Sequence, residues 1–209
     1  IDYYQSHGTP TDKLRTYYYQ GRIYQNQQKH DELALQCFAK AITDGEASED
    51  ILTKARVLFT QGRIYSTIYE WDKCATTYLE AADYFKRVGR TSSYVNCISC
   101  VINVYTITGD TAQAGKYIAL AQENLDDCSS KIKAHFYSSY LTYLVKYKQN
   151  GKDIQSLIEE YISISSSSGT DWLSVANAYL EIGNASAAMD GFSRHGELIN
   201  MSQRLKYQA

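Results

Sequence analysis

The sequence predicts an all-α fold of about five stacked antiparallel helix-turn-helix units with extended helices and a period of about 40 residues. Three observations carry this expectation. The 209 residues contain a single proline, Pro10, so from residue 11 onward nothing interrupts a helical hydrogen-bond ladder as proline does. The pentapeptide Gln20-Gly21-Arg22-Ile23-Tyr24 returns as Gln61-Gly62-Arg63-Ile64-Tyr65, 41 residues later, and repetition at such a period marks a repeat array. Small and large residues then recur at steps of four and three, which stay on one face of a helix.

The elements follow in order. Residues 1–10 form a lead-in. The first unit, 11–45, has helices at about 11–26 and 31–45, with Tyr24 as its register marker and Ala34, Phe38 and Ala41 as its buried stripe; it needs a one-residue insertion before Ala34. The second, 51–88, has helices at 51–67 and 71–88, with Tyr65 and the stripe Cys74, Tyr78, Ala81. The third, 91–125, has helices at 91–108 and 111–125, with Tyr105 and the stripe Ala114, Ile118, Ala121. The fourth, 131–163, has helices at 131–149 and 152–163, with Tyr147 as marker and Ser156 in the alanine slot. The fifth, 170–195, has helices at 170–182 and 185–195, with Tyr179 and the stripe Ala188, Phe192, His195. Glycine follows the last three markers by four residues, at Gly109, Gly151 and Gly183, where a left-handed helix cap suits it. The run Ser165 to Ser168 before Gly169 connects the fourth and fifth units. Residues 196–209 read as a polar tail or the start of a further helix.

Composition excludes several functions. A net charge of -2 and a pI near 6.1, with no Lys/Arg block, leave no electrostatic footprint for nucleic acid. The longest apolar stretch, around Cys97 to Tyr105, is broken by Ser99 and Asn103 and falls far short of the ~20 residues a membrane span needs. The opening at Ile1, without methionine or a signal-like segment, reads as that of a processed or excised piece. Twenty tyrosines supply rings suited to sites with one dry and one wet edge.

The layout resembles the tetratricopeptide repeat, TPR, whose signature residues run Trp, Leu-Gly, Tyr, Gly, Ala, Phe, Ala along a helical hairpin. Leu58, Gly62, Tyr65, Cys74, Tyr78 and Ala81 match it in the second unit, and Trp172, Tyr179, Gly183, Ala188 and Phe192 in the last. The proline that usually ends the second helix is missing; Glu46, Lys86 and Asp126 lie near those places, and longer helices then account for the longer period. The resemblance covers about residues 14 to 195 and implies a right-handed superhelical solenoid. The opening, Asp2-Tyr3-Tyr4, His7-Gly8-Thr9-Pro10 and Tyr17-Tyr18-Tyr19, is similar to TPR-containing lipoproteins and regulators of Bacteroides-type bacteria. That likeness implies a lipoprotein signal, repeats outside the inner membrane, and in many members a membrane span and a cytoplasmic helix-turn-helix regulator. Periplasmic or membrane-anchored placement follows from it. An odd count of five cysteines favours free thiols and a cytoplasmic alternative instead.

No catalytic signature is present, whether phosphate loop, nucleophile elbow or zinc-protease motif. Neither a cofactor nor a metal is expected. His7, His30, His135 and His195 fall in different units. Cys97-x-x-Cys100 lacks a second ligand pair for zinc and lies inside a helix, where a redox pair does not belong. Cys37 and Cys74 read as small core residues, and Glu159-Glu160 and Asp126-Asp127 as solvated surface.

The inner face is the candidate site. By family precedent the first helix of each unit lines a concave groove, and register maps that lining onto Arg15, Tyr18, Arg22 and Gln25; Arg56, Phe59, Arg63 and Ser66; and Asn96, Ser99, Asn103 and Thr106. Later units add Leu141, Lys148, Leu173 and Asn177. Such a strip suits a protein or peptide ligand, an acidic one in particular, through bidentate arginine pairing. The expectation is a non-enzymatic interaction scaffold, the sensory or assembly module of a larger signalling protein. The alternative is a structural spacer or self-association module, forming a homo-oligomer without a peptide site.

Overall fold

The computed structural model describes residues 2–27, 30–147, 154–165 and 170–208, the last ten as backbone only. Among the described residues there are eleven helices and no strand, and no helix is long and apolar enough to cross a membrane. The chain divides into two compact units, Ile1–Val104 and Tyr105–Ala209.

The first unit opens with a short helix, α1 (Asp2–His7), where the sequence suggested only a lead-in. Thr9 then caps α2 (Pro10–Asn26): its side chain accepts from the Asp12 amide while Asp12 reaches back to Thr9, and Pro10 sits in the first turn, where its missing N–H costs nothing. Helix α3 (Asp31–Asp44) returns beside α2. Tyr24 meets His30 at the turn, Tyr18 meets Phe38 midway, and Leu14 meets Gly45 at the far end, so the pair is antiparallel. Helices α4 (Ile51–Thr67) and α5 (Trp71–Arg87) repeat the arrangement, with Lys73 over the Tyr65 ring and Phe59 against Tyr78. Helix α6 (Thr91–Thr108) closes the unit and runs across the boundary.

The repeated glycine is what lets each hairpin close. A Cβ on Gly62 would stand 2.9 Å from the Tyr78 ring, and one on Gly21 would stand 2.5 Å from Phe38. Only hydrogen fits there, so the aromatic of the second helix seats directly on the backbone of the first. The small residues of the stripe do the rest: Ala34, Phe38, Ala41, Cys74 and Ala81 are completely buried and Tyr78 nearly so. Neighbouring hairpins share this core, since Val57 and Ile64 of α4 join Leu14, Tyr18 and Phe38 in one cluster.

The second unit contains α7 (Thr111–Gln122), α8 (Ser130–Tyr147), α9 (Ile154–Ser165), α10 (Trp172–Glu181) and α11 (Ala185–Gln208). Ala114, Ile118 and Ala121 are buried as their spacing predicts. At the end of α6, Lys146 and the Tyr147 hydroxyl both donate to the Thr106 carbonyl, at 2.6 and 2.7 Å, satisfying a helix terminus that lacks its own partner. Helices α8 and α9 pair, α10 packs on both, and α11 pairs with α10.

Beyond α1, the structure differs from the sequence expectation in three places. The fourth stripe is Ile154, Ile158 and Tyr161, with the same steps of four and three but two residues earlier; Ser156 is exposed. In the fifth stripe Ala188 is buried, but Phe192 is 38% exposed and His195 half-buried, because α11 meets α10 through Gly191, whose backbone lies against Ala176. Helix α11 does not stop near residue 195 but continues to Gln208. The left-handed cap holds at Gly109 and Gly183 while Gly151 lies outside the described residues, and the equivalent place after Tyr65 is taken by Tyr69, at φ 62°.

Candidate partner-binding face

Helices α2 and α4 have matching registers. Each starts one residue after its cap, Thr9 or Asp50, and each carries arginine at the sixth and thirteenth positions beyond that cap: Arg15 and Arg22, Arg56 and Arg63. Seven residues are nearly two turns, so each pair shares a face at a rise of about 10.5 Å. The two helices touch. Their arginines therefore occupy equivalent registers one 41-residue repeat apart, while positions around them differ, Tyr18 against Phe59 and Gln25 against Ser66.

The surroundings of the four arginines differ. Arg15 is exposed but engaged: its Nε and Nη2 donate to Asp50 Oδ2 at 2.7 and 2.6 Å. Asp50 is also the cap of α4, accepting from the Thr53 amide and hydroxyl. Burial acts to raise the Asp50 pKa, but Thr53 and Arg15 outweigh it and hold the carboxyl below its ordinary value. Arg22 is half-buried; its Nη1 donates to the Tyr18 hydroxyl at 3.1 Å, and its Nε is buried without an acceptor. Arg56 and Arg63 are exposed. Arg63 lies close enough to α6 to draw the Cys100 pKa downward, against the burial that raises it.

The remaining candidates divide by burial. Tyr18 is only 7% exposed, its ring against Phe38, so it supports Arg22 through its hydroxyl and does not line an open strip. Ser99, Thr106 and Leu141 are buried and equally inaccessible. Gln25, Phe59, Ser66, Asn96 and Asn103 are half-buried. Leu173 and Asn177 are exposed on α10, in the second unit, and Lys148 lies outside the described residues. Sequence reasoning missed Asp50 as the internal partner of Arg15, because nothing local couples residues 35 apart. It also missed an open cleft of about 170 Å³ where Gln5 of α1 meets Gln20 and Tyr24 of α2 and Gln36 and Lys40 of α3.

The cysteines form no reactive centre. Cys37, Cys74, Cys97, Cys100 and Cys128 are free thiols, and all but Cys100, which is partly covered, are buried. Burial pushes Cys74 up to about 11 and Cys100 to about 12, and Cys97 well above its ordinary value. Thiolate, the nucleophilic form, is thereby suppressed. Among the described residues no group of three or more His, Cys, Asp or Glu is placed to hold a metal ion.

No protein-family model matches the chain, and no curated protein matches it.

Proposed function

We propose that this chain is a TPR-like solenoid of helical hairpins, right-handed and about five units long, that works as a non-enzymatic scaffold and holds a protein or peptide segment against its first helices. The observation that carries the reading is the repeated arginine register of α2 and α4, at identical positions on two adjoining helices. Adjoining first helices also occur in the second unit, where α10 packs on α8. A hairpin cannot bury its apolar stripe alone, so stacking supplies both the core and an extended surface. Function then resides in the side chains of that surface.

Site-specific photo-crosslinking tests this. Gln25 and Ser66 are 41 residues apart and half-buried on the proposed face, whereas Thr76 is exposed on α5. A crosslinking residue at either inner position is expected to capture the same partner from cells, and one at Thr76 is not. Equal capture from all three positions contradicts the reading.

Self-association is the second reading, favoured by the last hairpin, where Leu173, Leu180, Ile182, Met189 and Phe192 are all at least 38% exposed. Sedimentation across a concentration range separates the two: a dimer abolished by Met189→Ser/Phe192→Ser supports self-association through this hairpin, and a monomer throughout excludes it.

A further inference from the structure

One interface inside the first unit shows how neighbouring hairpins stack. Val57 and Ile64 of α4 are buried in one apolar cluster with Leu14, Tyr18 and Phe38 of the hairpin before them, and half-buried Leu35 of α3 packs against the same cluster. Thr60 lies between Val57 and Ile64 at steps of three and four, and it is buried too. The interface thus has two halves, a stripe on the first helix of one hairpin and a ridge on the hairpin before it.

Among the described residues each half recurs elsewhere with its side chains open to solvent. Counting back 41 residues, Thr60 and Ile64 correspond to Tyr19 and Ile23 of α2, which are 62% and 48% exposed. Helix α1, six residues with none buried, leaves both of them open. The ridge recurs on the last hairpin. Aligned on Tyr24 and Tyr179, Tyr18 corresponds to Leu173; aligned on Ala34 and Ala188, Leu35 and Phe38 correspond to Met189 and Phe192. Tyr18 and Phe38 are buried, whereas Leu173, Met189 and Phe192 are all exposed, Met189 by 73%. A hairpin that faces water is expected to carry polar residues at such places. Both of these carry apolar ones.

Resting on the self-association reading above, we propose that the first hairpin of one copy of this chain accepts the last hairpin of a second copy, with Tyr19 and Ile23 seated against Leu173, Met189 and Phe192. The contact repeats the internal one, in which Ile64 shares a cluster with Tyr18 and Phe38. Isoleucine recurs as isoleucine and phenylalanine as phenylalanine. The remaining ring changes sides: Thr60 opposite a hairpin bearing Tyr18 becomes Tyr19 opposite one bearing Leu173, which keeps the summed bulk. Removal of these side chains from water drives the association. Because the two surfaces differ, the contact is heterologous, head to tail, and each copy that joins brings a further pair of faces.

Mixing two half-disabled variants tests the proposal. Tyr19→Ser/Ile23→Ser removes the accepting stripe and Met189→Ser/Phe192→Ser removes the ridge, all at exposed positions where the fold tolerates serine. Sedimentation velocity on the intact chain should show wild type growing from 23.7 kDa as concentration rises, and each variant alone associating at least about tenfold more weakly. Their equimolar mixture should recover a dimer at an affinity comparable to wild type and stop there, because one good face remains on each partner. Far-UV circular dichroism and urea unfolding matched to wild type establish that both variants are folded. Either variant associating as wild type does, or a mixture of folded variants no larger than its components, overturns the head-to-tail contact. A Tyr19→Ser/Ile23→Ser chain that still dimerises through Met189 and Phe192 overturns it while leaving self-association through the last hairpin standing, and wild type that is monomeric throughout removes both.

Discussion

Tyr69 occupies a conformation that glycine holds elsewhere in the chain. Its φ of 62° closes the end of α4, where the Glu70 amide donates to the Tyr65 carbonyl at 3.0 Å; Gly183 closes α10 in the same way, with Asn184 donating to Tyr179. A side chain in the left-handed region costs roughly 1–2 kcal/mol, and the ring of Tyr69, 74% exposed, recovers only an edge contact with Trp71. Tyr69→Gly is therefore expected to stabilise the chain by about 1 kcal/mol in urea titrations. Asp50 is the converse case, a side chain with more work than its sequence context reveals. Asp50→Ala removes the α4 cap and the Arg15 ion pair together and should cost about 1–2 kcal/mol at neutral pH. Its folded-state pKa lies below the unfolded value near 3.8, so its contribution is complete above that value and disappears as pH falls through the folded pKa. The difference between wild type and Asp50→Ala should accordingly shrink below pH 4, and a difference that grew on acidification would contradict the assignment.

At the scale of elements, hairpin closure rests on backbone contact at the repeated glycines. Gly62→Ala should cost about 1–3 kcal/mol, because the ring of Tyr78 is buried and cannot withdraw. Gly196 in α11 has open space around its Cβ position, and Gly196→Ala should instead stabilise by about 0.5–1 kcal/mol. Apart from α11, which runs on to Gln208, the hairpin helices were legible to within a few residues because the 41-residue echo, the stripes and the caps all agree. The exceptions have physical causes. Helix α1 has six residues, none of them buried, too few for a periodic signal. The fourth stripe departs from the repeat register at Ser156, because burial follows the larger apolar residues Ile154, Ile158 and Tyr161. The arginines of the candidate face were legible through register alone. The burial of Tyr18 and the pairing of Arg15 with Asp50 were not, since both depend on which neighbouring helix a side chain meets.

For the molecule as a whole, the repeated arginine register of the cationic α2 and α4 makes the first unit the seat of the proposed interaction. The many tyrosines fit the same division of labour. The five register markers, Tyr24, Tyr65, Tyr105, Tyr147 and Tyr179, are all half-buried, while Tyr78 and Tyr161 are core residues. Hydrogen exchange read by mass spectrometry on the partner complex tests the central claim most directly, because it reports which helices a bound segment covers. The account predicts added protection in α2, α4 and the start of α6, with α3 and α5 unchanged. Protection confined to α3 and α5, or to α10 and α11, would contradict it.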